Sequence, residues 1–213
     1  MNLLYKSTRS GAEPVTASQA ILKGLADDGI PLGTDILFAC DNMKGLLVGC
    51  EICEDVWSVD PPSTRHALAG ANVIVNLSAS NDLVGKDTYR KELVKATSAR
   101  LLSAYVYASA GDGESTQDVV YSGHNIIAEN GTVLSESVPF TTGILYADLD
   151  IQKLRMERRR MTTFVPKNKH PYLTVSFHYE KAEKTELSRT FNRTPFVPAD
   201  ENTKTKRCEQ ILS

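Results

Sequence analysis

Apolar positions fall along the chain in two spacings, one extended and one helical. Gly45-Leu46-Leu47-Val48-Gly49 is a short apolar run bounded by glycines, the pattern of a buried strand. Pro61-Pro62-Ser63 opens a predicted helix through Ala71, and Asn72-Val73-Ile74-Val75-Asn76-Leu77 is a second buried strand. Beyond it, Leu93, Val94, Thr97 and Leu101 recur on one helical face after a cap at Asp87 or Thr88. Arg90, Lys91 and Lys95 are expected to point mainly outward. Tyr105-Val106-Tyr107-Ala108-Ser109-Ala110 reads as the next strand. Helical and extended segments that alternate in this way, with short connections, predict a single α/β layered domain.

Later segments change the picture. Glu129-Asn130-Gly131 lies between two β-prone runs, Gly123 to Ala128 and Thr132 to Ser137, and Asn-Gly in that setting signals a hairpin. Gly143 to Asp150 reads as a further extended segment, and Ile151 to Met161 as a helix with a heavily basic surface. Tyr172 to Tyr179 reads as an isolated strand. Phe196 to Lys206 is polar, has prolines nearby and reads as a linker. There is no internal repeat or low-complexity tract.

At 213 residues, 41% hydrophobic and with a formal net charge of −2, the chain has the composition of a soluble globular protein with one sizeable core. No run approaches the roughly 20 apolar residues of a membrane span, and Met1 to Lys6 is too short an apolar stretch for a signal peptide. A cytoplasmic location with no membrane partner is therefore expected. Four cysteines, Cys40, Cys50, Cys53 and Cys208, are too few and too unevenly spread for a disulfide framework, in keeping with a reducing compartment. Residues 1–150 carry 10 Lys+Arg against 19 Asp+Glu, a balance of −9, and residues 151–213 carry 14 against 7, a balance of +7. The basic tail is interrupted by acidic residues and has no nucleic-acid motif, so an intramolecular or subunit contact is expected there and nucleic acid is not.

The chemistry centres on Glu51-Ile52-Cys53-Glu54-Asp55-Val56-Trp57. An elbow directly after a buried strand lifts a thiol from the sheet edge into a cleft. Three carboxylates close in sequence disfavour the thiolate, so a reactive Cys53 requires a base or cation from elsewhere in the fold.

This motif, together with Pro61-Pro62-Ser63-Thr64-Arg65, Asn76-Leu77-Ser78-Ala79-Ser80-Asn81 and Tyr89-Arg90-Lys91, resembles the glutaminase domain of glutamine-dependent NAD+ synthetase, a branch of the nitrilase superfamily. The likeness continues through Ser103 to Gly111, Gly113 to Thr116, Gly123-His124-Asn125 and Ile127 to Gly131, and is strongest from Ile30 to Phe140. It implies a nitrilase-like α-β-β-α four-layer sandwich. The expected organisation is a divergent or truncated segment over 1–29, a glutaminase core over 30–161, and an extension and linker over 162–213. An ATP-using synthetase domain is expected beyond Ser213. The family's Glu-Lys-Cys triad uses Glu as base and Lys to stabilise charge. Cys53 matches the nucleophile, whereas Lys6, Lys23, Lys44 and Glu13 do not match the settings of the other two.

By the same resemblance, Ser80 and Lys86 match the positions that hold glutamine. A hydroxyl and an ammonium suit the polar ends of an amino acid. Without the family motif, Ser80 as a turn cap and Lys86 as a solvated surface residue would be the preferred reading. Glu54 and Trp57 are second-rank candidates, set against local hydrogen bonding and ordinary core packing. Cys50-x-x-Cys53 fits a redox or half-zinc spacing, but it has no second pair, and Cys50 reads better as a small strand residue, with no metal site expected. His124 is the best histidine for a Cys-His dyad, yet a buried hydrogen-bonded role is preferred. Gly111 to Thr116 lacks the Walker lysine and dinucleotide spacing, and reads as a loop near the cleft.

The expectation is thus a glutamine amidohydrolase domain acting on L-glutamine with no cofactor of its own. It would supply ammonia to a synthetase domain that uses ATP and magnesium to amidate deamido-NAD+. Such a ligase-linked hydrolase of NAD biosynthesis is expected to be homo-oligomeric, and weakly active or inactive as this chain alone. The alternatives are a free-standing nitrilase-like amidase or carbamoylase, and a non-catalytic assembly subunit.

Overall fold

A computed structural model describes residues 4–5, 32–166, 171–180, 189–191, 193–194, 196–198 and 200–212. The chain divides into two compact units, Met1–Glu183 and Lys184–Ser213. In the first, β1 (Leu4–Tyr5) and β2 (Leu32–Gly33) form a small parallel pair. Seven further strands form one mixed sheet: β3 (Ile36–Cys40), β4 (Leu47–Ile52), β5 (Val73–Ser78), β6 (Ala104–Ser109), β7 (Ile126–Glu129), β8 (Thr132–Glu136) and β9 (Leu173–Phe177). Their order across the sheet is β8-β7-β6-β5-β4-β3-β9.

The three central strands, β4, β5 and β6, run parallel. Parallel neighbours need crossovers, supplied here by α1 (Pro62–Leu68) and α2 (Lys86–Leu101). Both helices pack on the face that carries Gly49, Ile74 and Tyr105, residues aligned across the three strands by their register. Gly49 is required there, because a Cβ would lie 2.9 Å from that of His66 on α1. Fully buried Ile74, Val94, Tyr105 and Ile126 are at the centre of this core, and each of the three aliphatic side chains contributes roughly 1.5–3 kcal/mol by leaving water.

On the opposite face, Val73 and Ala104 pack with Leu154 of α3 (Ile151–Arg160). Arg158 of that helix turns back under the sheet, donating to the carbonyls of Gly70, Ala71, Leu101 and Leu102. Its side chain is therefore an internal anchor in a helix expected to have a heavily basic surface. Further along the same face, Leu77 is 63% exposed.

The α/β class is the one expected, a mixed sheet layered with helices. Among the described residues there is one large sheet, and the second sheet of a four-layer sandwich is not among them. Asn130 and Gly131, at φ 45° and 83°, make the tight turn between antiparallel β7 and β8, as the sequence predicts. Three segments differ from expectation. Gly143 to Asp150 forms no strand and leads instead into α3, where the Asp150 carboxylate caps the Lys153 N–H at 2.8 Å. β9 is not isolated, since it pairs in parallel with β3 from Ile36↔Leu173 to Cys40↔Phe177. In the second unit, residues 201–206 of the expected linker belong to α4 (Glu201–Leu212), whose start is capped by Asp200 accepting from the Thr203 N–H. Among the described residues, no helix is long and apolar enough to cross a membrane.

Candidate active site

Parallel strands place ligands at their carboxyl ends, and here β4 and β5 end in the two segments of interest. After Ile52 the chain turns into a single 3-10 turn, Cys53–Trp57, and Cys53 takes φ 51°. That left-handed conformation is uncommon for a residue with a Cβ and persists where the surroundings fix it. Asp55, 4% exposed, accepts from the Ile52 N–H at 2.9 Å and closes the turn from within. Asn76 of β5 accepts from the Cys53 N–H at 3.0 Å and donates to its carbonyl at 3.2 Å. The expected elbow is thus present, with the thiol half-buried at its crest.

Cys53 opens onto a cleft of about 530 Å³ whose other walls are Glu54, Trp57, Ala79, Ser80, Asn81 and Lys86. All five residues singled out from the sequence, Cys53, Ser80, Lys86, Glu54 and Trp57, come together around this one space. Ser80 is 7% exposed. Lys86 is not free in solvent: its Nζ donates to the Asn81 carbonyl at 2.8 Å and the Asn81 side chain at 2.9 Å, and lies 5.7 Å from the centroid of the Trp57 ring. Partial burial, with Arg90 one turn further along α2, pulls the ammonium below its usual range, and Cys53 and Asp82 oppose that pull. Trp57 is held by Tyr89, with ring centroids 5.1 Å apart.

Cys50 belongs elsewhere. It alternates on β4 with the inward residues Gly49 and Glu51, it is a free thiol, and burial pushes its pKa up to about 11. Among the described residues, no group of three metal-ligating side chains comes together. Gly111 to Thr116 forms a loop with a short 3-10 turn, and its residues are not among those lining the cleft. Lys44 precedes β4, at the far end of that strand from Cys53. Lys6, Glu13 and Lys23 lie outside the described residues.

Arg90 corrects the sequence reading. It is completely buried, where an outward side chain was expected. Its Nη1 donates to Nδ1 of His124 at 3.0 Å, and its Nη2 lies 3.7 Å from Asp82. With Nδ1 accepting, His124 holds its proton on Nε2 and donates to Glu136 at 2.9 Å. His124 is therefore the buried, hydrogen-bonded histidine preferred from the sequence. Burial alone would raise the Glu136 carboxyl, but Lys91 at 2.6 Å and His124 hold it below the usual carboxylate range.

Sequence reasoning passed over Glu51, Asn76 and Tyr105, all fully buried beneath the elbow. Tyr105 donates to one oxygen of Glu51, and the other oxygen accepts from the Ser63 N–H at 2.9 Å. Burial raises the Glu51 carboxyl above its usual range. The available signal was a carboxylate at an inward position of an apolar strand, a placement found when a partner waits inside.

Fold and site together define an α/β protein with a cysteine presented at a strand-end elbow above a polar cleft. The sequence profile of the carbon-nitrogen hydrolases matches residues 13–159, and the chain belongs to that family. It is 44% identical over 180 residues to the glutamine-dependent NAD(+) synthetase of Mycobacterium tuberculosis, covering 80% of this chain and 26% of the relative. To the protein of the same name from Mycobacterium leprae it is 42% identical over 186 residues, covering 83% and 27%. The chain thus spans about a quarter of the length of these relatives. Among solved structures, it is similar to a glutamine-dependent NAD(+) synthetase from Cytophaga hutchinsonii, with a TM-score of 0.44, 31% identity, and 55% and 18% of the two chains covered. These relatives carry the name of the family that the sequence around Cys53 resembles.

Proposed function

We propose that the chain is the glutamine amidohydrolase part of a glutamine-dependent NAD+ synthetase. The observation that carries this reading is the meeting of Cys53, Ser80 and Lys86 around one cleft, in a chain 44% identical to a mycobacterial protein of that name. Lys86 pairs with the α-carboxylate of L-glutamine, Ser80 hydrogen-bonds its polar end, and Trp57 and Glu54 border the bound amino acid. The sulfur of Cys53 bonds to the side-chain amide carbon, giving a tetrahedral intermediate. The C–N bond then breaks, and the thiol's proton leaves with the nitrogen as ammonia. Water adds to the thioester carbon, the C–S bond breaks, and glutamate and the thiol are restored.

The triad's Glu and Lys are assigned to no described residue. Slow hydrolysis by this chain alone is the expectation, with no base for the thiol proton identified among the described residues. The ammonia would serve ATP- and magnesium-dependent amidation of deamido-NAD+ on a further domain, in a cytoplasmic homo-oligomer. The test is glutamate and ammonia release from glutamine, with Cys53→Ala as control. Slow release that disappears in the variant is expected. Equal release by both proteins removes the reading, and turnover of other small amides in preference to glutamine points to a free-standing amidase.

A further inference from the structure

A hydrogen-bonded chain that takes no chemical step in that hydrolysis runs directly beneath Cys53. Asn76, Tyr105 and Glu51 are each fully buried, and they connect in that order. The Asn76 carboxamide uses every polar atom it has. Its oxygen accepts from the Cys53 N–H, and its nitrogen donates to the Cys53 carbonyl and, at 3.1 Å, to the Tyr105 hydroxyl. Tyr105 in turn donates its hydroxyl hydrogen bond to Glu51.

Both ends of this chain demand the same polarity. At the top, the Cys53 N–H can only donate, which turns the amide oxygen of Asn76 towards it. At the bottom, the Glu51 oxygen accepts from Tyr105, so the tyrosine oxygen is left to accept from the Asn76 nitrogen. The carboxamide is therefore fixed in one of its two flips from both sides. What it grips is the backbone of the residue at φ 51°, the conformation that aims the sulfur at the cleft.

We propose that Asn76 is the positioning residue of Cys53, with Tyr105 and Glu51 orienting its carboxamide. The kinetic part of this inference rests on the glutaminase reading; the conformational part does not. Tyr107 supplies the comparison. It lies two residues further along β6 on the same buried face, and its hydroxyl pairs with Ser78 at 2.7 Å without touching the elbow. Loss of that hydroxyl removes a buried hydrogen bond of the same kind while leaving the Asn76 grip whole.

The experiment measures amide hydrogen exchange by NMR on the full chain, together with glutamine kinetics. Tyr105→Phe and Asn76→Asp are close in shape to the residues they replace. The first removes the orienting hydroxyl, and the second sets an oxygen against the Cys53 carbonyl. In both, exchange at the Cys53 amide rises about tenfold, while Gly49 in mid-β4 stays as protected as before. Where glutamine turns over, kcat falls about tenfold with KM within about twofold, as expected when ground-state binding is untouched. Tyr107→Phe leaves Cys53 exchange unchanged. Should Asn76→Asp fail to fold, Tyr105→Phe decides alone. Unchanged Cys53 exchange in Tyr105→Phe, or the same acceleration in Tyr107→Phe, overturns the proposal. Absence of glutamine turnover in the unaltered chain counts against the glutaminase reading, and the exchange result still decides the positioning.

Discussion

Nε2 of His66 lies 3.0 Å from the carbonyl oxygen of Cys50, bridging α1 to β4, the strand that leads into the Cys53 turn. A carbonyl only accepts, so the ring donates there. In the neutral ring, Nδ1 is an acceptor facing the Tyr172 hydroxyl at 3.0 Å. His66 is 1% exposed. Burial lowers its pKa from 6.5 to about 4, against the opposing pull of the Cys50 carbonyl, Asp35 and Asp55, with Arg65 adding to the lowering.

The consequence is a stability that depends on pH. The unfolded chain binds a proton at His66 near pH 6.5 and the folded chain near pH 4, so between those values unfolding takes up a proton. Stability is full above pH 6.5 and falls as pH drops towards 4, by up to about 3 kcal/mol from this group. Urea unfolding across that range, compared with His66→Gln, isolates the contribution, because glutamine still donates to Cys50 and does not titrate. An equal pH slope in the two proteins would rule out the assignment.

Arg158 gives a second stability prediction. Its guanidinium donates to four carbonyls that end α1 and α2 and lies 4.7 Å from the Phe164 ring centroid. Burial lowers its pKa to about 10, which leaves it charged at neutral pH. Lysine carries the charge but not the planar fork, so Arg158→Lys costs about 2 kcal/mol. Arg159→Ala, on the exposed side of the helix, changes stability by less than about 0.5 kcal/mol. Chemical denaturation of the two variants at pH 7 tests the contrast, and equal midpoints would remove the anchor role.

Much of this architecture is written locally. The Leu46 to Val48 run, the Asn130-Gly131 turn and the Leu93-Val94-Thr97-Leu101 face each carry their own signal, and each appears in the fold. Two of the misreadings, Arg90 and β9, depend on partners distant in sequence. Arg90 shares a helix with exposed residues, and its buried guanidinium meets His124, 34 positions later, together with Asp82 and the Tyr107 ring. β9 is short and half-exposed, so its place in the sheet depends on the backbone of β3. α4 buries no side chain and has no apolar stripe to announce it. Its legible signal was the cap, Asp200 three residues before Thr203. At the site, Cys53, Glu54 and Trp57 were readable from the motif around Cys53, and Ser80 and Lys86 from the family resemblance of the segment after β5, while the scaffold of Glu51, Asn76 and Tyr105 was not. Inward polar side chains give no periodic pattern when each is satisfied by another strand.

The four thiols differ enough to be told apart chemically. Cys40 is buried, Cys50 titrates near 11, and Cys208 is exposed on α4. At pH 8 only about one Cys50 in a thousand is thiolate, and the thiolate is the species alkylated. Limited iodoacetamide treatment followed by peptide mass spectrometry is expected to mark Cys208 and Cys53 ahead of Cys40 and Cys50. Glutamine in excess slows labelling at Cys53 and leaves Cys208 unaffected. A Cys53 that stays unmodified while Cys208 is consumed would show that the cleft does not present the sulfur.

Lys86 is the cation of that cleft, and its setting separates charge from shape. Asn81 fixes the ammonium through two acceptors and Trp57 lies beneath it, so the side chain is already ordered before any ligand arrives. A preordered cation loses little freedom on pairing with a carboxylate, which makes the pair count towards binding. Lys86→Met keeps the length and removes the charge, and is expected to raise KM for glutamine by about tenfold to a hundredfold, with kcat changed only a few-fold. The lowered pKa adds a sign: as pH rises through it the ammonium is lost, so KM climbs at alkaline pH. In Lys86→Arg the charge persists and that climb is absent. A Lys86→Met enzyme with unaltered KM would assign carboxylate recognition to another residue.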